Sequence, residues 1–139
     1  MRRRKQFVVA LAALVTSAGA CRSRDATTLS EAGAVTHAVE RLRGASNSEK
    51  GVALSALAAV PCSAPEVCAL KTLCAGAYTK HVRALDGVRA ARHALRAAPA
   101  GSARVAKLLD ESQELLESAQ SDVARCADAE GELKRNLRL

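Results

Sequence analysis

Apolar residues recur at helical spacing along most of the chain, and no stretch shows the strict alternation of a strand. Three segments carry the signature of a helix start, a hydroxyl residue followed three positions later by glutamate: Thr28–Glu31, Ser46–Glu49 and Ser63–Glu66. The first predicts a helix from about Leu29 to Arg43, ended by a left-handed Gly44. A second, shorter helix ends before Pro61. The apolar stripe of the first helix is Ala32, Val35, Val39 and Leu42.

Two long helices are predicted in the second half of the chain, separated by the turn Pro99–Ser102. The third helix runs from the Ser63 box to about Ala98, and the fourth ends near Glu130 or bends at Gly131. The pair Asp86–Gly87 favours a turn, so a break there is the alternative. Seams at three- and four-residue spacing follow both helices, as an antiparallel pair requires: Val67, Leu70, Cys74, Tyr78, Val82, Leu85, Val88 and Leu95, then Val105, Leu109, Leu116, Ala119, Val123, Cys126, Leu133 and Leu137.

Alanine supplies 31 of the 139 residues, and it combines the highest helix propensity with little core volume. The pattern therefore predicts an all-α protein with thin seams between its helices. We expect an antiparallel helical hairpin, stapled by disulfides, with two shorter N-terminal helices beside it. One helical domain over residues 28–139 is enough for this arrangement.

The cysteines support the hairpin. Cys74 and Cys126 each lie 26 residues from Ala100 and fall on the two apolar seams. Positions equidistant from the turn lie at the same height, within the Cα separation of about 7 Å that a disulfide requires. Cys62 and Cys68 flank the third capping box and are predicted to close a small ring. A bridge between Cys68 and Cys126 is the competing pairing. These two positions differ in height by about 9 Å along the helix axis, which counts against it.

Charge indicates the same register. Five basic residues between Lys80 and Arg96 oppose eight acidic residues between Asp110 and Glu132. Because the hairpin itself supplies partners for the basic run, and Tyr78 is the only aromatic residue beyond Phe7, we expect no nucleic-acid binding. Folding the chain about Ala100 predicts three exposed ion pairs, each worth up to about 1 kcal/mol: Arg89–Glu111, Arg83–Glu117 and Glu66–Lys134.

Residues 1–20 have the layout of a cleaved secretory signal peptide. Four basic residues at positions 2–5 precede an apolar run, Phe7–Val15, that is too short to cross a bilayer. The stretch SAGAC at residues 17–21 resembles the lipobox of bacterial lipoproteins, in which a cysteine receives lipid and becomes the new N-terminus. The resemblance is limited to residues 1–21, and Ala18 stands where that family usually carries leucine.

The resemblance implies lipidation of Cys21 and a tether over residues 21–27. Ala18–Ala20 also fits the A-x-A rule of ordinary signal peptidase, which would release an unlipidated chain starting at Cys21. Cysteine parity favours lipidation, because acylation of one of the five cysteines leaves four to pair in an oxidising compartment. Cleavage also lowers the formal net charge from +7 to +3.

Candidate chemistry is sparse. The cysteine spacing matches neither zinc nor haem motifs, and no C-x-x-C redox pair occurs. His37 and His93 are expected to be solvated, and His81 to pack beside the seam, without a neighbouring serine or carboxylate constellation. No glycine-rich phosphate loop or paired-carboxylate motif appears. We therefore expect no enzyme, no metal site, no cofactor and no small-molecule substrate.

The combined prediction is a membrane-anchored lipoprotein of the cell envelope that acts as a structural or protein-interaction module. In the lipoproteins that this stretch resembles, an aspartate after the lipidated cysteine retains the protein at the inner membrane. This chain has Arg22 at that position, so the resemblance favours the outer membrane and a periplasm-facing position. A protein partner or a second copy is expected to cover exposed helix faces. The alternative is a soluble periplasmic or secreted protein that handles metals or thiols, with Cys21 free.

Overall fold

A computed structural model describes the backbone of residues 20–97 and 102–139 and the side chains of residues 26–97 and 103–139. The described residues form four helices and no strand: α1 Ala20–Gly44, α2 Lys50–Ala59, α3 Pro65–Ala97 and α4 Ser102–Leu137. The all-α prediction is confirmed, and α3 and α4 pack along each other as the long hairpin. The signal peptide predicted upstream of α1 and the turn at residues 99–101 lie outside the described residues.

The first helix lies against both long helices, parallel to α3 and antiparallel to α4. Its backbone includes residues 21–27, the range predicted as a tether, so the helix begins well before Leu29. Ion pairs from Arg43 to Glu130 and from Glu40 to Lys134 fix its register on α4. The predicted apolar stripe is completely buried: Ala32, Val35, Val39 and Leu42.

The two short helices cover only part of the hairpin. α2 turns back along α1 and α3 and buries Leu57. The apolar core that includes α1 and α2 reaches Tyr78 on α3 and Val123 on α4. We call residues 26–78 and 123–139 the base, and residues 79–97 and 103–122 the arm. The arm rises about 28 Å beyond Tyr78 at 1.5 Å per residue.

The third helix is unbroken at Asp86–Gly87, so the alternative of a turn there is wrong. Gly87 instead permits a close approach of α4, because a Cβ atom at this position would lie 2.2 Å from the Oγ of Ser112. Ser112 is buried, and its hydroxyl donates to the carbonyl of Leu108. A residue pair that favours a turn in sequence is thus a close-packing site between two helices.

Small side chains fill the seam of the arm. Leu95 and Leu109, predicted for the seam, are 52% and 45% exposed, and Val82, Leu85 and Val88 are half-buried. The distance between the two helices suits alanine, so the larger residues are displaced to the rims. The buried residues of the arm are Ala84, Ala91, Ser112 and Ala119.

The fourth helix continues through Gly131 to Leu137, so the predicted end near Glu130 is wrong. Leu133 is buried in the base, and continuing the helix keeps it there. The helix ends where Arg138 adopts a left-handed φ of 55° and the Leu139 amide donates to the carbonyl of Lys134.

The three ion pairs predicted between the long helices do not form among the described residues. The antiparallel register is present, but Arg89, Glu111 and Lys134 pair with other residues, and Arg83 has no ion pair among the described residues. The pairs that form instead are Arg89–Asp86, Lys107–Glu111, Lys80–Asp122 and Lys134–Glu40.

Candidate functional site

Both predicted disulfides are present. Cys74 and Cys126 bridge α3 and α4 with a Cα separation of 5.0 Å, and both cysteines are buried in the base core just below the arm. Cys62 and Cys68 bridge the α2–α3 loop to the first turns of α3, with a Cα separation of 5.5 Å. The four cysteines of the described side chains are therefore paired.

The predicted lipidation site lies outside the described side chains. Cys21 belongs to the backbone of α1, and the structure describes no side chain before Ala26. None of the described helices is both long and apolar enough to cross a bilayer.

Glu31 caps the start of α3 instead of its own helix. Its carboxylate accepts the backbone N–H of Ser63 at 2.8 Å, the N–H of Ala64 at 3.0 Å and the Ser63 hydroxyl at 2.7 Å. The Ala64 and Ser63 amides, followed by the hydroxyl, lower the pKa of Glu31. One interaction between α1 and α3 thus replaces the capping boxes predicted at Thr28–Glu31 and Ser63–Glu66. It provides an acceptor for backbone amides at the start of α3, which have no partner within the helix.

Lys50 caps the end of α1. Its Nζ donates to the carbonyls of Leu42 and Arg43, each at 3.1 Å, and of Ala45 at 2.8 Å. A buried cation on these carbonyls also complements the negative end of the helix dipole. No described glycine has a positive φ, so the left-handed Gly44 that the sequence predicted is wrong, and the lysine satisfies the carbonyls instead.

A charged cluster lies at the end of α1 and includes Lys50, Arg43, Glu130 and Lys134. The nearly buried carboxylate of Glu130 pairs with Arg43 of α1 and with Lys134, one turn along α4. Lys50 lies over the Tyr78 ring, with its Nζ 5.7 Å from the ring centroid. These contacts join the end of α1 to both long helices.

His81 lies at the mouth of this cluster. Its ring meets Tyr78 edge to face, with centroids 6.4 Å apart, and its buried Nε2 has no hydrogen-bond partner among the described residues. Burial first, and then the nearby charge of Lys50, lower the pKa of His81. It lines a pocket of about 430 Å³ with α4 residues that include Gln120 and Val123.

The three histidines lie in different settings in the described part of the chain. His81 packs beside the seam, as predicted, with no carboxylate hydrogen-bonded to it, while His37 and His93 are exposed. Within the described part of the chain, no group of three or more His, Cys, Asp or Glu residues is placed to hold a metal ion.

Comparison with known proteins identifies no relative: no family, curated protein or solved structure matches the chain. What the site does therefore has to follow from the chemistry of its own residues. Sequence reasoning missed both caps, because Glu31 accepts from amides 32 and 33 residues further along the chain, and Lys50 donates to carbonyls at the end of the preceding helix and not within its own. No local sequence signal marks either interaction.

Proposed function

We propose that the protein is a membrane-anchored lipoprotein of the cell envelope that acts as a protein-interaction module. The observation that supports this role is the division between a packed base and a long arm whose apolar side chains are partly uncovered. Leu95 and Leu109 are about half exposed on the arm, where no described helix covers them. These leucines leave apolar surface on the arm that a partner protein would cover.

The polarity of the fold suits an anchor at Cys21. The described side chains of α1 begin beside the start of α3, since Glu31 binds Ser63 and Ala64. That end of the base is the one farthest from the tip of the arm. Acyl chains on Cys21, each contributing about 0.8 kcal/mol per buried CH₂, would hold the base at the membrane and direct the arm away from it.

Intact mass after membrane fractionation tests the anchor. We expect the chain in the membrane fraction to begin at Cys21, to carry the added mass of acyl chains, and to lack four hydrogens because of two disulfides. The matched variant Cys21→Ser keeps the four paired cysteines, and it should lose both the acyl mass and the membrane association.

Two results would contradict the proposal. A chain that begins at Met1 with five free thiols has not been exported. A chain that begins at Cys21 without acyl mass, and remains in the soluble periplasmic fraction, supports the alternative of a soluble exported protein.

A further inference from the structure

The groove between α3 and α4 continues above the end of α1. On α3, Tyr78, Leu85 and Arg92 follow one another at seven-residue intervals and so share one face of the helix. On α4, Val123 and Leu116 do the same, followed by Leu109. Tyr78 and Val123 both line the pocket at the top of the base, so the two rows extend that pocket along the arm.

The base shows what this groove accommodates. There, α1 fills the lower half of the same groove with small and branched apolar residues at three- and four-residue spacing. Its flanking charges, Glu40 and Arg43, pair with residues of α4. The pocket of about 430 Å³ lies directly beyond the point where Lys50 caps α1. A helix is therefore the element that fits the continuation.

The α3 side of the arm groove becomes basic toward its tip, where Arg92 continues the row of Tyr78 and Leu85 and Arg96 lies one helical turn further along. Arg92 and Arg96 are exposed and form no ion pair with any described carboxylate, whereas Arg89 pairs with Asp86. An apolar groove with unpaired cations along one edge is complementary to an apolar stripe flanked by carboxylates.

We propose that an acidic amphipathic helix of a partner protein docks in the arm's half of the groove and continues the path that α1 takes along the base. This inference rests on the proposed role as an interaction module, and it names the chemistry of the partner.

Two synthetic peptides test the proposal against the purified, disulfide-bonded chain. Both are about 18 residues long, enough to span the arm at 1.5 Å per residue, with leucine at three- and four-residue spacing. One carries flanking glutamates and the other flanking lysines. We expect fluorescence anisotropy to detect binding of the glutamate peptide only. The double variant Arg92→Glu/Arg96→Glu should weaken that binding about tenfold, since it replaces two attractive contacts by repulsive ones.

The matched control uses arginines away from the groove. Arg83 and Arg104 are exposed and also lack ion pairs among the described residues, so Arg83→Glu/Arg104→Glu makes the same change in net charge. We expect it to alter the affinity by less than about twofold at physiological salt, where exposed charges beyond about 8 Å are screened. Circular dichroism of both variants verifies that they remain helical.

Three outcomes would overturn the proposal: equal binding of the two peptides, equal effects of the two double variants, or no binding of the glutamate peptide. Anionic vesicles that bind in place of the peptide would assign the groove to a lipid surface. Sedimentation that shows a dimer lost on Arg92→Glu/Arg96→Glu would assign it to a second copy. None of these results depends on acylation of Cys21, so they leave the membrane-fraction experiment to be decided separately.

Discussion

The base and the arm are built from the same two long helices, yet they are held together differently. In the base, α1 and α2 complete a core in which the largest fully buried side chains of the described chain all lie: Leu42, Leu57, Val35, Val39, Val67, Cys74 and Cys126. The arm consists of two helices only, and the residues buried between them are alanines and Ser112. Each fully buried large apolar side chain stabilises the fold by about 1.5–3 kcal/mol. The arm buries no such side chain and lacks this contribution.

The difference shows how a thin hairpin keeps its register without a bulky core. The Cys74–Cys126 bridge lies just below the arm and fixes the relative height of the two helices. Above it, close packing of Gly87 against Ser112 and the ion pair between Lys80 and Asp122 continue the same alignment. The base thus supplies stability, and the arm supplies a long, accessible surface.

Removal of the inter-helix disulfide should have the largest effect. The bridge closes a sequence separation of 52 residues, so Cys74→Ala/Cys126→Ala should lower the free energy of unfolding by about 4 kcal/mol in the chain-entropy account. The Cys62–Cys68 bridge closes a separation of only 6 residues, and its double alanine variant should cost about 2 kcal/mol. Urea denaturation under oxidising conditions measures both, and the reverse order would contradict the assigned role of the long-range bridge.

Replacement of the buried lysine tests how α1 is attached to the base. Lys50→Met keeps the length of the side chain but removes the donor to three carbonyls at the end of α1. We expect the free energy of unfolding to fall by about 2 kcal/mol. Lys71→Met is the control, because Lys71 donates to a single carbonyl, that of Val60. An equal loss of unfolding free energy in the two variants would show that the three hydrogen bonds of Lys50 stabilise the fold no more than the single hydrogen bond of Lys71.

A methyl group at Gly87 tests the close packing of the arm. Gly87→Ala places a Cβ atom 2.2 Å from the Ser112 hydroxyl, and we expect a net loss of about 1 kcal/mol in unfolding free energy. Gly76→Ala, in the base part of the same helix, meets open space and should gain up to about 1 kcal/mol from helix propensity. Adding Ser112→Ala should convert the Gly87→Ala loss into a gain. A stabilising Gly87→Ala single variant would contradict the close approach.

The smallest expected effect is a pH dependence at the junction of base and arm. Burial lowers the pKa of His81 below its ordinary value of 6.5, so the unfolded chain binds a proton more readily than the folded chain. Stability from this source is present above pH 6.5 and is lost as the pH falls through the lower, folded-state pKa. We expect thermal stability to decrease between pH 7 and 5 and to decrease less in His81→Phe. Identical pH profiles of the unmodified chain and of His81→Phe would show that His81 does not contribute to this pH dependence.

The sequence was sufficient to predict features that depend on spacing alone. Cys74 and Cys126 are equidistant from Ala100, and a straight antiparallel pair turns that symmetry into a contact. The stripe of α1 from Ala32 to Leu42 likewise needed only the helical period. Both features follow from the helical period and the antiparallel pairing, which the residue pattern contains.

Other features depended on interactions that local patterns do not contain. Glu31 was assigned to its own helix start, but the approach of α1 to α3 offers it two amides of Ser63 and Ala64. Gly87 carried the signal of a turn, and only the position of Ser112 on the facing helix shows that it is a packing site. Tertiary contacts determine where a helix ends and how closely two helices approach. Local sequence propensities therefore predict these features incorrectly.

Hydrogen exchange, followed amide by amide in the oxidised chain, tests the division between base and arm most directly. We predict that amides of residues 82–97 and 103–119 exchange through local opening at a lower free energy than those of residues 67–78 and 123–133. The boundary should fall near the Cys74–Cys126 bridge. Equal protection along the whole of α3 and α4 would contradict the account, because the hairpin would then be a single cooperative unit.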